Sequence, residues 1–172
     1  MKKILPILLI ACFLIYFSSC EKDDICVEGD TPLLVVGFFD IEDTTLAKEV
    51  PSLRIRAIDN NTVLDNDSFN DRANSPDSLS IPLRITTTNT SYVFIMDSAD
   101  DAETELETGN LDTLSIAYTN GEAFISRACG FVANFNDLSV TLTEGADNWI
   151  QDIQVVQQTV ENSNAIHVKI FH

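Results

Sequence analysis

The stretch Leu114-Ser115-Ile116-Ala117-Tyr118-Thr119 alternates apolar and polar side chains, and Asn120-Gly121 follows it. An alternation with a period of two is typical of a half-buried β-strand. A second strand pattern, Phe124 to Ala128, comes after the Asn-Gly pair. Such a pair between two strand patterns predicts a type I′ hairpin, because both turn residues need a positive φ. The stretch therefore predicts two antiparallel strands joined at Asn120-Gly121.

Two other runs are apolar on both faces. Leu33 to Phe39 is an unbroken apolar run rich in β-branched residues, and Tyr92 to Met96 has the same character. Continuous apolar runs of this length are typical of strands with both faces covered. We therefore expect a buried strand at the first run and a central strand at the second.

Further strands are indicated by alternation. In residues 52–57 the pattern leaves Arg54 and Arg56 on the outward face, and residues 79–85 alternate around Pro82. Proline cannot donate a ladder hydrogen bond, so Pro82 predicts a strand at the edge of a sheet. The two arginines could bind an anion, although such a pair more often forms ion pairs with neighbouring acids.

The C-terminal part continues the pattern. Residues 131–135, 138–142 and 166–170 alternate in the same way, which predicts three more strands. Residues 149–160 fit both a helical stripe and a strand. Their β-branched residues and the polar turn that follows at 161–164 favour a strand.

About eight short strands separated by turns predict an all-β domain over residues 31–172. The expected architecture is an antiparallel β-sandwich, or a partly closed barrel, in a chain long enough for one domain with its own core. The predicted core residues are Leu53, Ile55, Phe94, Ile116, Tyr118, Phe131, Phe135, Val140, Ile166 and Val168.

The N-terminus has the pattern of an export signal. Lys2-Lys3 precedes an apolar run, Ile4 to Phe17, that is shorter than the roughly 20 residues of a membrane-spanning helix. Ser18-Ser19-Cys20 resembles the bacterial lipobox, whose cysteine is acylated and becomes the new N-terminus. The pattern predicts a signal peptide at residues 1–19 and a lipid on Cys20. A transmembrane anchor and a plain secreted chain are the alternatives.

The four residues after Cys20 are Glu21-Lys22-Asp23-Asp24. They resemble the surface-export signal of lipoproteins in certain Gram-negative bacteria. The resemblance implies a lipidated acidic tether at residues 20–30 and exposure on the outer leaflet of the outer membrane. An ordinary polar tether, with the protein facing the periplasm, is the alternative.

The four cysteines lie in the leader, at the predicted lipidation site, in the tether and in the domain. Cys12 leaves with the leader and Cys20 takes the lipid, so Cys26 and Cys129 remain. In an exported chain, a remaining pair most simply forms a disulfide, which here would close a loop of roughly 100 residues. Two free thiols are the alternative.

The charge of the chain is strongly acidic. Its 10 Lys and Arg against 27 Asp and Glu give a net charge of −17, and removing residues 1–19 removes two lysines and no acid, which makes it −19. Such a surface repels phosphate backbones. Nucleic acid is therefore not expected as a partner.

No catalytic motif stands out. Asp65 to Phe69 starts like a calcium loop but lacks the Gly at its sixth position and the Glu at its twelfth, so a solvated face is the better interpretation. His167 and His172 would face opposite sides of one straight strand, which favours structural or surface roles. We predict no catalytic residue, metal or cofactor.

A recurring triplet consists of Asp, a hydroxyl residue, and a small or apolar residue. It resembles the O-glycosylation triplet that such bacteria use on exported proteins, although chance matches are common in a chain rich in Asp, Ser and Thr. Thr44 and Ser98 are favoured because their loops look exposed. The four candidates are Thr44, Ser78, Ser98 and Thr113.

Several features together resemble a family of small bacterial lipoproteins of unknown function. They are Cys26-Val27-Glu28-Gly29, Thr31-Pro32 before an apolar strand, Cys129-Gly130-Phe131, and the closing strand Ile166 to Ile170. The resemblance implies the anchor, the cysteine pair and the fold. It implies no catalytic residue.

We expect a non-enzymatic module, held at the bilayer by its lipid, that presents the acidic loops at 59–78 and 97–110 to a protein or glycan partner. A structural accessory subunit of an outer-membrane assembly, in contact through a sheet face, is the alternative. A hydrolase with an unrecognised acidic site is a more remote one.

Overall fold

The computed structural model describes residues 30–172, which contain eight strands and no helix. The strands are β1 (Leu34–Phe39), β2 (Arg54–Ala57), β3 (Ser78–Ile81), β4 (Asn89–Asp100), β5 (Glu107–Ser126), β6 (Gly130–Leu142), β7 (Asp152–Val155) and β8 (Val168–Phe171). They form two four-stranded sheets, with the orders β3-β1-β8-β7 and β2-β4-β5-β6. The sheets do not close into a barrel, so the predicted β-sandwich is confirmed. Within the described residues no helix is long and apolar enough to cross a bilayer.

The first sheet is built around β1. All six residues of β1 are buried, as the unbroken apolar run predicted. β1 pairs antiparallel with β3, and β3 lies at the edge of the sheet, as Pro82 indicated. The other neighbour of β1 is β8, which runs parallel to β1 with Val36 opposite Val168. This differs from the sequence analysis, which predicted antiparallel pairing throughout. No tight turn joins β1 to β8, so their relative direction is not constrained locally.

The second sheet is built around β4 and β5. β4 lies between β2 and β5, which confirms the predicted central strand. The prediction of a loop at 97–110 is wrong for most of its length, because β4 continues to Asp100 and β5 begins at Glu107. A register shift between Met96 and Ala99, with a positive φ at Asp97, lets the strand pass beyond the apolar run. Only residues 101–106 connect the two strands.

The hairpin predicted at Asn120-Gly121 is also wrong. β5 continues through both residues, and Gly121 pairs with Asn134 of β6 in the middle of the strand. Gly121 does not have a positive φ, so it is not a turn residue here. An added Cβ would overlap the side-chain oxygen of Asn134, so the glycine makes room for a cross-strand amide. The actual turn lies at residues 127–129, next to Gly130, whose φ is 72°.

The core lies between the two sheets and follows most of the predicted positions. Val140 and Ile166 are half-buried rather than buried. Phe131 is 67% exposed, and its prediction as a core residue is wrong, because β6 extends there beyond the opposing sheet. The predicted residues that are buried are Leu53, Ile55, Phe94, Ile116, Tyr118, Phe135 and Val168.

The strand favoured within residues 149–160 is present as β7, which pairs antiparallel with β8. Trp149 and Ile150 precede it and are buried. The helical alternative does not occur, because the apolar side chains of this segment face the sandwich with the period of a strand.

The two ends of the sandwich carry different parts of the chain. At the proximal end, residues 30–33 lead into β1, and segments 59–66 and 82–84 lie beside them. At the distal end lie the 101–106 connection and His172, whose ring packs against Trp149. The tether that was predicted from the sequence would therefore join the sandwich at its proximal end.

Several predictions concern residues that the structure does not describe. The signal peptide at 1–19 and the tether as far as Gly29 lie outside the described residues, together with Cys20 and Cys26. These predictions, and the domain boundary at residue 31, stay predictions.

Candidate binding cleft

An apolar cleft opens at the proximal end between the two sheets. Its volume is about 480 Å³. It is bounded by the end of β2, the start of β4, the segment after β3 and the segment after β2. Its lining residues include Leu33, Ala57, Asp59, Thr62, Val63, Leu64, Leu83, Arg84 and Tyr92.

The floor of the cleft is made by Leu64, Leu83 and Tyr92, all of which are buried. The hydroxyl of Tyr92 donates a hydrogen bond of 2.6 Å to the carbonyl of Pro82, which ties β4 to the segment after β3. Burial, with a smaller contribution from Tyr118, raises the pKa of Tyr92 to about 12. The phenol therefore stays neutral and acts as a donor, and the floor carries no charge.

The mouth of the cleft carries an ion pair between Arg84 and Asp59. Tyr118 holds the backbone of Arg84 in place, since its hydroxyl donates to the Arg84 carbonyl at 2.8 Å and accepts the Arg84 N–H at 3.0 Å. The Arg84 and Asp59 side chains are about half exposed, at 40% and 53%. A charged or hydrogen-bonding group at the mouth would thus meet one cation and one anion, both solvent-accessible.

The wall formed by segment 59–66 folds back on β2. The N–H of Ala57 donates to the carbonyl of Thr62 at 2.9 Å, and the N–H of Leu64 donates to the carbonyl of Ile55 at 2.8 Å. Asn61 sits in this turn with a φ of 55°, a conformation that asparagine tolerates better than most residues. The Asn60-Asn61 pair therefore places Val63 and Leu64 against the cleft.

The Asn66 side chain connects this segment to β3. The side chain of Asn66 donates to the carbonyl of Ser80 at 2.9 Å and accepts from the Ser68 hydroxyl at 2.7 Å. It thus fastens the segment to β3. Within residues 30–172, no group of three or more His, Cys, Asp and Glu side chains is arranged to hold a metal ion.

The outward pair Arg54 and Arg56 meets acids on the outer face of the second sheet. Arg54 donates to Asp71 at 3.0 Å and to Glu107 at 2.9 Å, and Arg56 contacts the other oxygen of Glu107 at 3.1 Å. Hydrogen bonding to Asp71 first, and to Glu107, raises the pKa of Arg54. Of the two interpretations of this pair, the structure supports the structural one.

The four candidate glycosylation residues lie in different environments. Thr44 is exposed, as expected, and Ser78 and Thr113 are half-buried in strands. Ser98 is buried, with 4% exposed, so its expected exposure is wrong. Its hydroxyl lies between Arg72 and Glu107, 3.2 Å from each, because the predicted loop is the continuation of β4. Glycosylation itself stays a prediction, and Thr44 is its best-placed acceptor.

The sequence missed an apolar patch on a projecting hairpin. Ala117 of β5 pairs with Asn89, the first residue of β4, and residues 119–135 of β5 and β6 continue beyond that pair as a two-stranded arm. Phe124 and Phe131 face each other across this arm with ring centroids 5.4 Å apart. The available signal was compositional, since residues 123–136 contain no acid.

Cys129 lies in the turn at the tip of this arm, and its N–H donates to the hydroxyl of Ser126 at 3.0 Å. Its predicted disulfide partner, Cys26, is outside the described residues. The pairing therefore stays a prediction.

The fold and the site define an all-β sandwich with an apolar cleft at one end and a projecting hairpin beside it. The chain belongs to the DUF6452 family, a family of unknown function, whose model matches residues 52–172. The match spans seven of the eight strands and all of the cleft except Leu33. No curated protein and no solved structure matches the chain.

Proposed function

We propose that the protein is a non-enzymatic binding module, anchored by a lipid on Cys20 in the outer membrane of a Gram-negative bacterium and exposed at the cell surface. The apolar leader, the lipobox-like Ser18-Ser19-Cys20 and the Glu21-Lys22-Asp23-Asp24 tether support the anchor and its location. The module binds its partner through the cleft at the proximal end.

The cleft is the observation that carries this proposal. Binding pockets commonly have volumes of about 300–1,000 Å³, apolar walls and a few polar groups that orient the ligand, and the cleft has these properties. Its floor is made of Leu64, Leu83 and the neutral Tyr92. Arg84 and Asp59 stand at its mouth.

A protein segment suits this cleft better than a glycan. One or two apolar side chains would fill the space over the floor, and the backbone or a charged neighbour would meet Arg84 and Asp59. A sugar would place hydroxyl groups over the floor of Leu64, Leu83 and Tyr92, where they would lack hydrogen-bond partners, which is unfavourable.

A second candidate function is that of a structural accessory subunit in an outer-membrane assembly. β6 lies at the edge of the second sheet, and among the described residues Ser139 to Leu142 pair with β5 alone. An unpaired strand edge is a template for strand addition by another chain. The contact would then lie at this edge, rather than in the cleft or on the sheet face expected from the sequence.

Site-specific photo-crosslinking in the expressing cells separates these possibilities. A photoreactive amino acid replaces Thr62 at the cleft, Glu103 in the distal 101–106 connection, or Ser139 on β6, each of which is exposed. We expect the Thr62 variant alone to crosslink to a partner protein. Ala57→Phe, which fills the cleft from β2, should reduce that crosslink while the far-ultraviolet circular dichroism stays that of a β protein.

Crosslinking from Ser139 and not from Thr62 would support the accessory role. Crosslinking from Glu103 alone would place the contact at the distal loop. A Thr62 crosslink that is insensitive to Ala57→Phe would contradict binding inside the cleft.

A further inference from the structure

The arm formed by residues 119–135 leaves the sandwich at the proximal end. Among the described residues, no third strand of the second sheet lies beside the two strands of the arm beyond the pair of Asn89 with Ala117. At the base of the arm, Phe135 exchanges backbone hydrogen bonds with Val160. The side chain of Asn120 donates to the carbonyls of Ile85 and Thr87, at 3.0 and 2.8 Å, and fixes the base of the arm. The arm therefore has a defined direction relative to the sandwich.

The outer half of the arm exposes large apolar side chains. Phe124 is 58% exposed, Phe131 is 67% exposed and Ile125 is 40% exposed. The two phenylalanines form an edge-to-face pair across the strands. A group of exposed apolar side chains beside a well-formed core marks an interaction surface rather than a packing defect.

The charge of the arm differs from that of the rest of the chain. Residues 123–136 contain no acid and one cation, Arg127, whereas the chain has 27 acids. Arg127 is exposed in the turn at the tip. The acidic body would be repelled by an anionic surface, but this part of the arm would not be.

The described chain begins next to the arm. Asp30 and Ile125 line the same surface depression, and Thr31 lines another one together with Phe131. From Cys20 to Asp30 the chain spans ten residues, which reach at most about 33–36 Å when fully extended. A lipid on Cys20 would therefore hold the arm on the side of the sandwich that faces the bilayer.

We propose that the arm is a second membrane contact, in which Phe124, Ile125 and Phe131 enter the interfacial layer of the bilayer and Arg127 lies among the lipid headgroups. This inference rests on the proposed lipid anchor. Apolar side chains with an adjacent cation are the combination that binds peripheral proteins to anionic bilayers. The contact would restrict how the sandwich is oriented above the membrane and would keep the 101–106 connection on the far side.

Fluorescence quenching tests the contact in the lipidated protein. The chain has one tryptophan, Trp149, which is buried near the distal end. Phe124→Trp adds a second reporter at the arm. The protein is reconstituted in vesicles of phosphatidylethanolamine and phosphatidylglycerol whose acyl chains carry bromine. We expect the emission of the tryptophan introduced at position 124 to shift to shorter wavelength. The brominated acyl chains should quench most of the intensity by which this variant exceeds the wild type.

Two matched controls accompany this measurement. Wild-type protein reports on Trp149 alone and should not be quenched. Leu106→Trp replaces a side chain that is 67% exposed in the distal connection, and it should remain unquenched and solvent-exposed. Flotation of the vesicles measures the anchor separately from the arm.

Protein that does not float with the vesicles would contradict the proposed anchor. Protein that floats while the Phe124→Trp reporter is unquenched and solvent-exposed would overturn the arm contact. A reporter that is shifted to shorter wavelength but not quenched would also overturn it, because the patch would then be covered by residues 21–29 or by a second copy of the chain.

Discussion

His167 lies just before β8 and is buried, with 1% of its surface exposed. Its position in the alternating pattern predicted a face opposite the apolar residues. In the structure, its Nδ1 accepts a hydrogen bond of 3.1 Å from the N–H of Val35 in β1. The ring nitrogen thus acts as the acceptor that a backbone carbonyl would otherwise provide. Burial lowers the pKa of His167, and a backbone hydrogen bond with Asn162 partly opposes this. Burial also lowers the pKa of His172, whose Nε2 lies 3.2 Å from the Lys48 carbonyl.

These two histidines predict that acid destabilises the fold. An imidazole whose folded pKa is below its ordinary value of 6.5 binds its proton first in the unfolded chain. Their contribution to stability is complete above about pH 6.5 and is lost as the pH falls through 6.5 towards the folded pKa. Urea unfolding between about pH 7.5 and 5.5 should show a falling free energy of unfolding.

His167→Gln should flatten this dependence, because the amide oxygen can accept from Val35 but does not titrate. Asp112 is buried, and burial is the main cause that raises its pKa. Its titration therefore increases the free energy of unfolding as the pH falls, so Asp112 cannot cause the predicted decrease. A wild-type free energy that rises on acidification in this window, or an equally steep fall in His167→Gln, would contradict the assignment.

At the scale of strands, β2 is a four-residue edge strand that depends on side-chain contacts. Among the described strands, β2 pairs with β4 alone in its sheet. Arg54 of β2 donates hydrogen bonds to Glu107 at the start of β5 and to Asp71. The side chains of these three residues are only 17–21% exposed. The ion pairs are therefore less screened by solvent than typical surface pairs.

Arg54→Ala should lower the free energy of unfolding by about 1–2 kcal/mol, because Asp71 and Glu107 lose charged hydrogen bonds at a partly solvated site. Urea unfolding of the purified protein measures the change. Arg127→Ala, which removes an exposed arginine at the tip of the arm, is the matched control and should change the free energy by less than about 0.5 kcal/mol. Equal effects of the two substitutions would show that the Arg54 network does not stabilise β2.

At the scale of the whole molecule, the proximal end combines the start of the described chain, the cleft and the arm. The distal end carries the 101–106 connection and His172. If the lipid is on Cys20, the cleft and the arm lie near the bilayer and the distal end points away from it. Acylation at Cys20 would thus determine which end of the protein faces the bilayer.

Labelling with radioactive fatty acid in the expressing cells should mark the wild-type protein and not Cys20→Ala, because the thiol of Cys20 is the predicted acceptor. Cys12→Ala is the matched control, since it removes a leader cysteine and should leave the label unchanged. Label that persists in Cys20→Ala would rule out Cys20 as the acylation site.

The sequence by itself determined the fold class, most strand positions and most of the core. Leu53 and Ile55 could be placed because alternation is a local property of an extended chain, and Pro82 marked an edge because it lacks a donor. The sequence also predicted a loop at residues 59–78, which includes segment 59–66. It did not indicate that part of this loop forms the wall of a cleft.

Only the tertiary structure determined that a cleft forms, that an arm projects from the sandwich and that His167 is buried. Asn120-Gly121 predicted a turn from local preference, but the pairing of β5 with β6 from Leu114 to Ser126 outweighs that preference. Phe131 has the same alternation as Phe135, yet Phe131 is exposed near the tip of the arm, whereas Phe135 is buried at its base, where it pairs with Val160. Two features depend on pairings between segments that are distant in the chain. One is that β5 and β6 extend beyond β4, and the other is that His167 accepts the N–H of Val35. A local pattern does not encode those pairings.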